Sequence, residues 1–201
     1  MPEIVKKHFA ERRGYSNYFF NEHQRDRVLK AWRAKLGPVA GDWTIAARSA
    51  AGSSAVFQVS AKGATLKAGK NEWQWRVDPP GENLDPPGSG GLLKALHLWR
   101  RLAAGGPLDE VYYLGTAPLA GSAGLVDVLV ASGAAAETRF YFDPQQGHLL
   151  AMEMSPGDDV DPCEVYFRDY RQSGVAWRPQ TMEVRFGDQV FGTFKLDWSP
   201  R

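Results

Sequence analysis

Cysteine is nearly absent: Cys163 is the only one in 201 residues, which excludes intrachain disulfides and cysteine-based metal clusters. Histidine is scarce too. His8, His23, His97 and His148 stand in four separate segments, with no HExxH and no pair at i, i+4 spacing, so the usual helical zinc motif is excluded. No stretch approaches the ~20 consecutive apolar residues of a membrane-spanning helix. The start, MPEIVKKHFAERR, is charged and carries no apolar run followed by a small-residue cleavage site, so no signal peptide is expected in this chain. A periplasmic or exported setting follows only if the chain is cut from a longer precursor. Neither sign of charge dominates: 24 Lys and Arg against 23 Asp and Glu leave a formal net charge of +1. That balance argues against nucleic acid or an anionic membrane surface as the main partner. There is no GxSxG, no P-loop and no GxGxxG, and GSGG at 88–91 and GSAG at 121–124 lack the context of a phosphate cradle.

Aromatic residues make up 12% of the chain and glycines number 21, which favours a β-rich fold with many turns or a roomy apolar interior. The clearest stretch is 138–198. Turn residues divide it into five runs rich in β-branched and aromatic side chains, Thr138–Phe142, Leu149–Met154, Glu164–Tyr170, Thr181–Phe186 and Val190–Trp198, which predicts an antiparallel meander. Asp143-Pro144 with Gly147, the 156–162 segment and Gly187-Asp188 supply the turns. Alternation assigns the faces: Met182, Val184 and Phe186 oppose Glu183 and Arg185, while Phe194, Leu196 and Trp198 oppose Lys195 and Asp197. A sheet with one apolar face must cover it with helices, a second sheet or a ligand.

Upstream, residues 3–36 read as helix, with a cap at Ser16 or Asn17 and an apolar stripe of Phe20, Val28, Trp32 and Leu36 that Phe19 and Leu29 widen. Three or four strands follow, carrying Trp43/Ile45, Val56/Phe57/Val59, Leu66 and Trp73/Trp75/Val77 at two-residue spacing. Two tryptophans on one strand face either pack a wall or line an apolar ligand site. PPGENLDPPGSGG, residues 79–91, reads as a mobile loop, either a lid or a passive connection. The next segment predicts a helix with Leu92, Leu93, Leu96, Trp99 and Leu102 on one stripe, Lys94, His97, Arg100 and Arg101 opposite, and Gly105-Gly106 as its stop. Leu125–Val130 reads as a central strand buried on both sides. The acidic residues Glu153, Asp158, Asp159, Asp161 and Glu164 lack the spacing of a calcium loop and read as a solvated hairpin. Cys163 reads as structural.

YFDPQQG at 141–147 with Leu149-Leu150, then YFRDYR at 166–171, Gly174, Trp177, Pro179, and Met182 to Val184, resembles the C-terminal half of the bacterial lipoprotein-carrier superfamily, the LolA/LolB-like proteins. The resemblance covers residues 138–198 by motif and 42–137 by order of elements. It implies an α+β fold, a strongly curved antiparallel sheet forming an unclosed half-barrel with helices covering the concave face. The implied organisation is an N-terminal helical segment at 1–37 and the half-barrel at 38–201. A looser similarity, carried by RGYSNYFF at 13–20 and Arg27–Trp32, is to a segment that follows trypsin-like protease modules in multidomain bacterial proteins.

Two functions are carried forward. One is a non-enzymatic binding module, without cofactor or metal, that holds an apolar or acyl ligand on the concave face. Its lining would come from Trp43, Trp73, Trp75, Trp99, Phe140, Phe142, Met152, Phe167, Val184 and Phe194, with loop 79–91 and the following helix as gate. The other is a structural or adaptor domain with a filled interior that meets a protein partner through a sheet edge or the N-terminal helix. Small residues opposite the tryptophans would leave space; large ones would fill it.

Overall fold

The computed structural model describes residues 3, 18–37, 41–79, 84–105, 110–132 and 136–198. Helix α1 (Tyr18–Leu36) precedes two hairpins, β1 (Trp43–Ser49) with β2 (Ser54–Ser60), and β3 (Gly63–Ala68) with β4 (Asn71–Arg76). Helix α2 (Leu92–Ala104) then leads to β5 (Glu110–Pro118), β6 (Leu125–Ser132), β7 (Glu137–Phe142), β8 (Leu149–Ser155) and β9 (Cys163–Arg168). A small hairpin, β10 (Arg171–Ser173) with β11 (Ala176–Arg178), interrupts the meander before β12 (Thr181–Phe186) and β13 (Gln189–Trp198). Apart from that hairpin, the strands form one eleven-stranded sheet in the order β4-β3-β2-β1-β13-β12-β9-β8-β7-β6-β5. Every pairing in it is antiparallel, and β4 and β5 remain unpaired edges, so the sheet is curved but not closed.

This order places α2. Strands β4 and β5 lie at opposite edges of the sheet, so the chain between them has to cross from one edge to the other, and α2 is the helix of that crossing. It packs against β2, β3, β4, β8 and β9. A helix lying in a trough is enclosed on more than one side, and this decides its burial. Leu92, Leu93, Leu96, Trp99 and Leu102 are buried as the stripe predicts, but so are His97 and Arg100, which the periodicity assigns to the wet side. Helix α1 packs on β5 and the β10–β11 hairpin, burying Val28, Leu29, Trp32 and Leu36 into the same apolar cluster.

The last strand joins the two halves of the molecule. β13 pairs with β12 on one side and with β1 on the other, in a register that sets Trp198 against Ile45, Leu196 against Ala47 and Phe194 against Ser49. Alternation then assigns the inner face throughout: Phe57, Val59, Leu66, Phe140, Met152, Val165, Phe167, Met182 and Val184 are all at most 3% exposed.

Several local expectations change. Val126–Val130 is buried on both sides while Leu125 is 57% exposed, and the strand is not central: β6 is next to the edge. Its outward side is covered because Leu119, beyond β5, packs with Leu150 on a second apolar cluster of Val126, Val128, Tyr141 and Ala151. Val77 falls past the end of β4 and is 40% exposed. Over 84–91 the loop is packed against the rest of the fold. Ser89 is fully buried, and its Oγ accepts from the Leu92 N–H at 3.1 Å and donates to the Leu84 carbonyl at 3.4 Å. Gly90, at φ +66°, lies so close to the Phe186 ring that a Cβ there would stand 2.4 Å from it. Residues 80–83 of that loop, and the predicted cap at Ser16 or Asn17, lie outside the described residues.

Candidate functional site

The concave face brings the predicted lining together. Trp43, Trp75, Trp99, Phe140, Phe142, Met152, Phe167, Val184 and Phe194 belong to one continuous apolar cluster, and half-buried Trp73 packs against it. Register settles what opposes the tryptophans. Trp73 stands against Leu66, Trp75 against Ala64 and Trp43 against Val59. Ala64 is small, yet the space over Trp75 is filled from above by His97 of α2, whose ring centroid lies 5.1 Å from the indole. Trp43 likewise meets Trp99 edge-on at 4.8 Å. In this conformation the interior is filled by the helix that covers it.

Three tryptophans converge around α2. Trp99 packs on Phe167 at 4.4 Å and edge-on to Trp43 and to Trp198 at 5.9 Å. Trp198 donates its indole N–H to the Pro179 carbonyl at 2.8 Å, and its ring carries the Arg178 guanidinium at 5.4 Å. Trp99, 1% exposed, has no such partner for its Nε1–H. A buried donor left unpaired costs about 1–3 kcal/mol.

Among the described residues, polar contacts through Arg100, His97 and the Leu102 carbonyl hold α2 down. The Arg100 guanidinium donates twice to the Gly41 carbonyl, at 2.8 and 3.2 Å, with the Asp42 carboxylate 3.7 Å away. His97 Nδ1 lies 3.0 Å from the Ser60 carbonyl, which can only accept, so Nδ1 carries the proton. Burial first, then the charges of Arg101 and Arg100, press the His97 pKa down to about 4 against the opposing pull of the Ser60 bond. It is therefore neutral at pH 7. At the far end Arg33 of α1 donates to the Leu102 carbonyl at 3.2 Å.

A second constellation docks α1. Asp127, side chain 4% exposed, accepts two bonds from the Arg27 guanidinium at 2.9 Å and one from the Tyr113 hydroxyl at 2.9 Å. Asn21 pairs with both the N–H and the carbonyl of Tyr113, and Arg25 donates to the Val111 carbonyl at 3.3 Å, so α1 side chains occupy part of the β5 edge. A charge inside a run of aliphatic residues is a sequence signal for such a buried pair, and Asp127 in LVDVLV carries it. His97 and Trp198 were likewise outside the expected lining. Trp198 shares the alternation of Phe194 and Leu196, which is the signal that includes it.

Two of the five acidic residues are engaged on the outer face. Glu153 accepts from the Tyr141 hydroxyl at 2.7 Å and Glu164 from Tyr166 at 2.8 Å. Among the described residues no three His, Cys, Asp or Glu side chains converge on a metal position. Cys163 is fully buried, and burial with the neighbouring Glu164 pushes its thiol up to about 12. A cleft of about 860 Å³ lies where β2 turns into β3, lined by Trp43, Trp75, Gln58, Lys62, Arg76 and Asp78 among others. It is at the rim, and Trp99, Phe140 and Val184 do not line it.

No protein-family model matches the chain, and no curated protein matches it. Solved structures do. The chain is similar to a domain from Vibrio parahaemolyticus described as an outer membrane lipoprotein-sorting protein, at 12% identity and a TM-score of 0.52 over 90% of this chain and 92% of that one. A LolA superfamily protein from Nitrosomonas europaea aligns at 10% identity and TM-score 0.48, covering 88% and 91%. A DUF1329 family protein from Desulfovibrio piger aligns at 10% and 0.44, covering 89% and 90%. The fold is LolA-like, as the motifs in 138–198 imply. Among the described residues no helix is long and apolar enough to cross a membrane.

Proposed function

We propose that the chain is a non-enzymatic binding module that takes an apolar or acyl-chain ligand between α2 and the concave face of the sheet. The observation that carries this is the continuous apolar interior that α1 and α2 cover, with α2 held among the described residues by contacts through His97, Arg100 and the Leu102 carbonyl. The ligand enters as α2 rises, and the ligand's methylenes replace the contacts that the helix gives up. Leu92, Leu93, Leu96, Trp99 and Leu102 each gain roughly 1.5–3 kcal/mol from burial, about 10 kcal/mol together. A sixteen-carbon chain buried at ~0.8 kcal/mol per methylene returns a comparable amount, whereas an eight-carbon chain returns about half. Binding should therefore switch on steeply with chain length. A fluorescent fatty-acid displacement titration with C8, C12 and C16 acids tests this: saturable displacement at one site per chain, strongest for C16, is expected. A bacterial periplasmic setting belongs to the same proposal.

The second reading is an adaptor domain attached to a protease or other module of a longer exported protein, and the filled interior favours it. A protein that displaces no probe at any chain length would establish this reading over the first.

A further inference from the structure

Resting on the reading of the interior as an acyl site, we infer that Trp99 is the ligand's polar contact, its indole N–H donating to a carbonyl oxygen, so that the ligand is an acyl ester, amide or acid in preference to a plain hydrocarbon. Among the described residues three buried side-chain polar atoms lack a partner, Trp99 Nε1, Thr138 Oγ1 and His148 Nε2, and only the first belongs to the predicted lining. Its ring neighbours, Trp43, Trp198 and Phe167, offer π faces, which are weak acceptors. A phenylalanine there would pack apolar surface without an orphan donor. The chain does satisfy the neighbouring indole, since Trp198 donates to Pro179.

Position adds to the argument. Trp99 sits on α2, the element that must rise, and it faces Trp43 of β1, Trp198 of β13 and Phe167 of β9, which brackets the middle of the sheet. Beside it Trp198 is only half-buried, and Arg178 lies over that ring. An acyl chain entering there sets its hydrocarbon among Met152, Val184 and Phe140, leaves its carbonyl at the Trp99 N–H, and turns its head group toward the rim. A lifted helix then gains a hydrogen bond that it lacks when seated. This deepens the proposed function by making the donor, and not apolar volume alone, the selector of the ligand class.

The test compares methyl hexadecanoate with octadecane, a hydrocarbon of similar length, both supplied from cyclodextrin as competitors of the fluorescent acid. Wild-type protein should prefer the ester about tenfold, the value of one net hydrogen bond. In Trp99→Phe the ester-to-hydrocarbon ratio should collapse toward one, whatever happens to the two affinities separately. As a readout that needs no variant, the Trp99 indole proton in a ¹H–¹⁵N spectrum of wild-type protein should move downfield with the ester and stay in place with octadecane. Equal binding of both competitors by wild type, or an ester preference that survives in Trp99→Phe, overturns the inference while leaving the acyl site standing. Binding of neither competitor overturns the site and the inference together.

Discussion

Removing Arg27 should uncover how α1 is held. Asp127 is buried on the inner side of β6 and spends its oxygens on Arg27 and Tyr113. In Arg27→Ala the carboxylate keeps one neutral hydrogen bond and loses its counter-charge. Stranding a buried charge ordinarily costs ~3–5 kcal/mol. The Arg27 side chain is 40% exposed, so water already screens part of the attraction, and about 3 kcal/mol is expected. For a chain of this size that lowers Tm by roughly 6–12 °C. The decisive feature is a sign. Adding Asp127→Asn to Arg27→Ala neutralises the stranded charge while keeping the Tyr113 contact, so the double variant should be more stable than the single one. Urea unfolding followed by tryptophan fluorescence reads both, and Trp32 on the same helix makes it sensitive to α1. A loss below about 0.5 kcal/mol in Arg27→Ala, or a double variant less stable than the single, would refute a docking role for the buried pair.

His97 gives a pH signature. Its folded pKa of about 4 lies below the unfolded value of 6.5, so its contribution is fully present above pH 6.5 and is lost as the pH falls toward 4, by on the order of 3 kcal/mol. Replacing it with Gln should flatten the stability profile in that window, and an unchanged slope would refute the assignment. Gly90→Ala should cost about 3 kcal/mol, because φ is +66° and the new methyl meets Phe186. Gly88→Ala, at φ +81° with nothing within 4 Å, should cost only about 1 kcal/mol, and chemical denaturation of the pair separates clash from backbone strain. Cys163 should resist a thiol reagent at pH 8 until the protein unfolds, since the thiol is buried and its pKa is pushed up to about 12; labelling in the native state at the rate of a free thiol would contradict that environment.

The meander was legible because strand alternation is local: 181–186 matches its strand at both ends, and the other runs differ by a few residues at their ends. The apolar stripe of α2 was legible for the same reason, as was the inward orientation of nine aromatic and aliphatic residues that enter one apolar cluster. The β10–β11 hairpin escaped notice because two three-residue strands carry no period. The packing of loop 84–91 was not legible, because glycine and proline mark where regular structure stops, not whether the resulting turn is packed.

Composition and pattern by themselves determined an antiparallel meander with one apolar face and two amphipathic helices, since these depend on residues within a few positions of one another, and the single cysteine excluded an intrachain disulfide. Tertiary structure alone decided that β13 closes against β1 and that β4 and β5 become opposite edges. From that follow the burial of His97 and Arg100, the pairing of Arg27 with Asp127 and the unpartnered N–H of Trp99. Each depends on what a distant strand or helix places opposite a side chain, and hydrophobic periodicity holds no record of that.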